Sequence, residues 1–182
     1  MIEILIEVFV IGLLNRLADM HADEGLRMGK VTAYLLGATY GFLIAHLIVA
    51  YPVLAEAAIA VMVSVIVTGK INHTVHYAGV GVMLLSLAFY GIPPLIIPLL
   101  AAFLVAGIID EMGNDLFDGK RGKKGVWGVF FERRMTMEVV ALAVTLLTGN
   151  WVFIASVICY EIGYSYIFTK RLKRKLLSIG GQ

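Results

Sequence analysis

Two clusters of oxygen-bearing side chains carry the chemistry that this chain could do. In the first, Asn15, Asp19 and Asp23 recur every four residues, so on a helix they form one ridge about three turns long. Carboxylates at i and i+4 repel each other unless a cation lies between them. The spacing suits shared coordination of a hard divalent ion such as Mg²⁺, which takes oxygen ligands and often bridges to a phosphate. The competing reading is a solvated helix end whose acids pair with Arg16, Arg27 or Lys30. The second cluster is Asp110, Glu111, Asn114, Asp115 and Asp118, directly after an apolar run. Glu111 and Asn114 stand at i, i+3, as do Asp115 and Asp118, so one face presents two or three oxygen ligands. Lys120, Arg121, Lys123 and Lys124 follow, spaced by Gly119, Gly122 and Gly125. Glycines let backbone approach a ligand closely, and the cations attract a phosphate or anionic head group. Here the competing reading is a loop that neutralises itself and touches anionic lipid.

The histidines add a weaker set. His73 and His76 at i, i+3 could share a helical face and bind a transition metal, with His21 joining from the first cluster. Interfacial histidines bonded to backbone are the commoner case. His46 and Glu161 differ because they fall inside apolar runs, where ionisable groups usually face a bundle interior and serve function. They form a candidate proton relay or ion-binding pair.

The elements that must position these groups are apolar helices. Sixty per cent of residues are hydrophobic and 15% charged, and the mean hydropathy is +0.89, outside the range of ordinary soluble domains. No period-2 alternation is present, so the reading is an all-α, polytopic membrane bundle in one domain over 1–182. The runs fall at about 2–18, 31–50, 53–69, 75–90, 94–109, 134–148 and 151–169, several of them shorter than the ~20 residues of a full span. The first extends naturally through Asp23, and Pro98 is expected to kink the fifth.

All fifteen Lys and Arg residues fall in alternate connections or at the run ends that border them: around the end of the first run, and after the third, fifth and seventh. Tyr51-Pro52, Gly91 to Pro93 and Gly149-Asn150 carry none. That alternation predicts about seven transmembrane helices in the cell membrane, with the N-terminus outside and a basic cytoplasmic tail from about 170. A count of six, with the first helix lying in the interface, is the rival. Topology accounts for the basic residues, so the net charge of +2 gives no reason to expect nucleic acid. The N-terminal run lacks a basic flank and a small-x-small site and reads as a retained helix. Cys159, the single cysteine, has no partner within the chain and reads as an inert thiol.

Both acidic clusters thus face one side of one bundle. Asn15-x3-Asp19-x3-Asp23 resembles the first aspartate-rich motif of the UbiA-type intramembrane prenyltransferases, and Asn114-Asp115-x-x-Asp118 resembles the opening of the same motif. The resemblance implies a helical bundle, Mg²⁺ and a prenyl diphosphate donor. It makes Asn15, Asp19, Asp23, Asn114, Asp115 and Asp118 metal–diphosphate candidates, with Asp19, Asp23, Asp115 and Asp118 the catalytic ones, and the second cluster itself adds Asp110 and Glu111 as metal ligands. Asn15 and Asn114 would bind substrate, as would Lys120, Arg121, Lys123 and Lys124 by their charge. The leading expectation is a Mg²⁺-dependent membrane enzyme acting on a lipid or prenyl phosphate among membrane lipids. The alternative is a divalent-cation or proton transporter that uses the same acids, with Glu161 and His46 as its inner site.

Overall fold

A computed structural model describes residues 1–118 and 125–166, apart from the side chains of Asp118 and Glu132. The described residues form eight α-helices and one 3₁₀ turn. They are α1 (Ile2–Asp23), α2 (Lys30–Ala50), a 3₁₀ turn (Pro52–Leu54), α3 (Ala55–Val67), α4 (Thr74–Tyr90), α5 (Ile97–Asp118), α6 (Val126–Glu132), α7 (Met135–Thr148) and α8 (Val152–Tyr166). Two helical segments, Lys30–Ala50 and Ile97–Phe117, are long and apolar enough to cross a bilayer by length and composition.

Six of the helices close a ring. Each packs on the next in the order α1, α2, α3, α5, α7, α8, and α8 returns to α1. α4 lies against α2, and short α6 rests on α5 and α7. The closest seams are made by small residues, as expected where helices associate by backbone approach. A Cβ at Gly41 of α2 would overlap the carbonyl of Gly79 in α4. A Cβ at Gly12 of α1 would overlap the carbonyl of Tyr160, and one at Gly163 of α8 the carbonyl of Phe9. Gly37 and Gly41 belong to the small-residue run visible in the sequence; Gly12 and Gly163 stand alone among larger neighbours.

Two expectations need correction. The second acidic cluster is not a loop after the fifth run: α5 continues through it to Asp118, across Gly113, whose missing Cβ leaves room for the ring of Phe131. Pro98 is the second residue of α5, where no intrahelical N–H bond is lost and nothing forces a kink. The sixth run is α7 as expected, and the residues before Arg133, assigned to no run in the sequence, form the separate helix α6. Arg134 joins the two with a left-handed backbone, φ 51°, the conformation that breaks the helix there.

Candidate functional site

The ring encloses a cavity of about 540 Å³. One end is polar and receives both sequence clusters: Asn15, Asp19 and Asp23 from α1, and Asp110, Glu111 and Asn114 from α5. The deeper part is walled by apolar side chains, among them Val8, Leu47, Phe103 and Phe153. Ser156, 5% exposed and with its hydroxyl unpaired in the protein, is a polar interruption of that wall.

At the polar end four helices meet in one chain of polar contacts. The Tyr164 hydroxyl of α8 donates to Asp19 Oδ2 at 2.5 Å. The other oxygen of Asp19 lies 3.3 Å from His76 Nε2 of α4. His76 Nδ1 in turn lies 3.1 Å from the Tyr40 hydroxyl of α2. Asn15 donates to the Tyr160 hydroxyl at 3.0 Å, one helical turn before Tyr164, and the two tyrosine rings stack. The Arg16 guanidinium sits 5.3 Å over the Tyr164 ring and pairs with Glu24 at 2.5 Å. An imidazole held between a carboxylate and a phenol is a fixed proton-transfer group, because each nitrogen has a defined partner.

The acids of α5 are committed to protein partners. Asp110, 1% exposed, accepts from the backbone N–H groups of Thr136 and Met137 at 3.0 and 2.8 Å. It therefore caps the N-terminus of α7 from a neighbouring helix, satisfying donors that the helix itself cannot. Glu111 takes a two-pronged contact from Arg134, at 3.1 and 3.2 Å. Lys70, in the α3–α4 connection, pairs with Asp115.

The metal expectation meets this arrangement directly. Among the described residues no three His, Cys, Asp or Glu side chains are grouped to hold a metal ion. Asp19, Asp110, Glu111 and Asp115 already have partners, so these donors do not fit a resident Mg²⁺ as placed. The weaker histidine set is also dispersed. His21 Nδ1 contacts the Leu26 carbonyl at 2.7 Å, and His73 caps α4 by accepting from Val75 N–H at 3.4 Å. Their rings meet edge-on at 5.2 Å, outside the cavity lining, while His76 belongs to the Asp19 chain. Asp118, by its side chain, and Lys120, Arg121, Lys123 and Lys124 lie outside the described residues.

His46 and Glu161 do not form a pair. Glu161 lines the cavity, whereas His46 bonds Glu7 at 2.8 Å near the opposite end of the ring. Tyr51, beside His46, has its phenol pushed up by desolvation and then by the charges of Glu7 and Glu3. Glu56, 3% exposed, accepts from Ile96 N–H at 2.8 Å and ties the α4–α5 connection to α3. The residues that sequence reasoning missed are Tyr40, Tyr160 and Tyr164, and Arg134. The tyrosines left one signal: Phe153, Tyr160 and Tyr164 repeat at 7 and 4 on a single face of α8.

Comparison with protein-family models, with curated proteins and with solved structures gives no match.

Proposed function

We propose that this chain is an integral membrane enzyme of about seven spans that acts on a lipid or prenyl phosphate, with the head group at the cytoplasmic end of its cavity. The observation that carries the reading is the cavity itself: polar faces of α1 and α5 line one end of a chamber whose deeper wall is apolar. That is the division of surface an anionic amphiphile requires. Arg16, Lys70 and Arg134 also line it and supply positive charge. Each is paired with a carboxylate, and a phosphate would compete for the same cations. The Tyr40–His76–Asp19–Tyr164 chain supplies the proton transfer that breaking or making a phosphoester needs.

Seven spans are supported by the outside of the bundle. Large apolar side chains are exposed on every long helix, as with Ile6, Leu35, Ile66, Leu85, Val105, Leu146 and Ile162. A water-facing surface would not carry that load, and a lipid-facing one does. No observation favours the transporter: Glu7, His46 and Glu56 are not among the cavity-lining residues, so among the described residues no polar path joins Glu161 to the outer end.

Thermal unfolding of the purified chain with lipid and prenyl phosphates, and with the matching alcohols, tests the reading. Phosphates should raise Tm and alcohols should not. Phosphate-bearing products should appear in ³¹P NMR when an acceptor or water is present. Mg²⁺ alone is expected to leave Tm unchanged. Equal shifts with phosphate and alcohol, or no shift and no turnover with any of them, would sink it.

A further inference from the structure

Four helices build the cavity to the same pattern. On α1 the lining from the deep end upward starts with Val8, Ile11 and Asn15; on α2 it is Leu47, Ile44 and Tyr40. On α5 it starts with Phe103, Gly107 and Asp110, and on α8 with Phe153, Ser156, Val157 and Tyr160. In every case the deep apolar residue and the polar residue at the upper level stand seven positions apart on one face, with Ser156 the one polar side chain between them on α8. Two helical turns at about 1.5 Å per residue separate them by about 10 Å. The apolar chamber therefore has one depth on all four walls.

Its floor is closed. Val8, Leu47, Leu54, Phe103 and Phe153 are all less than 10% exposed, so other side chains cover them from the far side. Phe103 and Phe153 stack across it, with ring centroids 6.1 Å apart. An extended hydrocarbon built from C–C bonds of about 1.5 Å advances about 1.25 Å per carbon, so about eight carbons reach from the polar level to the floor.

We propose that the cavity selects its amphiphile by tail length: it takes a single-chain phosphate whose apolar tail extends about eight carbons, and the stacked Phe103–Phe153 floor sets the limit. Two isoprene units or a medium-length alkyl chain meet this, whereas the tail of a long polyprenyl chain does not. The inference rests on the proposed function and narrows its substrate class. The head group occupies the level of Tyr40, Asn15, Asp110 and Tyr160, and the tail fills the space below.

The test uses the full chain in nanodiscs of zwitterionic lipid, titrated with n-alkyl phosphates from butyl to hexadecyl, with empty nanodiscs as the blank. Kd should fall about fourfold per added methylene while tail surface is being buried. The fall should stop near octyl to decyl and reverse beyond. Phe153→Ala should move that break about two or three carbons longer, and Ile44→Phe, which fills the chamber half-way down, should move it shorter. A Kd that keeps falling at the same slope to hexadecyl overturns the length limit and leaves the proposed function standing. The wild-type series decides this even if a variant does not fold. A break that stays in place in both folded variants overturns the role of the floor. No binding at any length overturns the proposed function, and this inference with it.

Discussion

At the scale of single residues, Asp19 and Asp110 look alike in the sequence and do different work in the fold. Asp110 is buried and spends both oxygens on the first turn of α7. Asp110→Ala should therefore act on stability: loss of a cap costs about 0.5–2 kcal/mol, and the exposed N–H groups left in a buried place push it to the upper end. A fall in Tm, restored in part by Asp110→Asn, checks this. Asp19 instead links Tyr164 to His76 at the cavity. Asp19→Asn and His76→Gln keep the shapes and remove the proton-transfer function. Each should lower turnover about a hundredfold, within the range of general acid–base catalysis, while Tm stays within a few degrees. A variant that loses Tm and activity together would mark the chain as structural. None of these assignments was legible in the sequence, because a carboxylate's partner is set by which helix packs beside it. The ridge of Asn15, Asp19 and Asp23 was legible, since helix period alone fixes it, and all three do line one cavity.

Helices read well from hydropathy where they are long, and less well where backbone chemistry ends them. The continuation of α1 to Asp23 follows from the lack of Gly or Pro between Gly12 and Gly25. α6 escaped notice because seven residues are too few to establish a period, and its Val126-Trp127 and Phe130-Phe131 look like the start of the next run. The ring order was not legible at all: apolar faces on every side of a helix do not say which neighbour they meet. What the sequence did hint at was close packing, through Gly37 and Gly41. The seam of α2 with α4 carries Tyr40 and His76 on its inner side, so it positions the site as well as the fold. Gly41→Leu should force the two helices apart at the Gly79 carbonyl. Overpacking of this kind costs about 1–3 kcal/mol, and turnover should fall further than Tm because His76 loses Tyr40. Gly81→Ala, which meets open space on the same helix as Gly79, is the control and should change neither. Thermal unfolding and a turnover assay on both variants decide it; equal behaviour of the two would mean that the seam does not position the site.

For the whole molecule the question is how α1 sits in the bilayer, because it carries half of the site. It is tied beside α2 at two levels, the middle of α2 and its C-terminal end. Asp19 reaches His76, beside Tyr40 of α2, and Glu7 bonds His46 near the end of α2 at Ala50. A helix lying flat in the interface could not make both contacts, so α1 runs beside the C-terminal half of α2. If α2 spans, α1 spans with it, as the proposed count of seven requires. Impermeant maleimide labelling of single cysteines on a Cys159→Ser background reads this out in intact cells. Ile92→Cys and Trp151→Cys, both well exposed, should label from outside, whereas Thr74→Cys and Arg133→Cys should label only after lysis. Ile2→Cys is the deciding position, at 72% exposure. Labelling from outside agrees with seven spans and a site open to the cytoplasm. Labelling of Ile2→Cys only after lysis would put both ends of α1 on the same side, contradict its pairing with α2, and remove Asp19 from the cavity that the proposed function depends on.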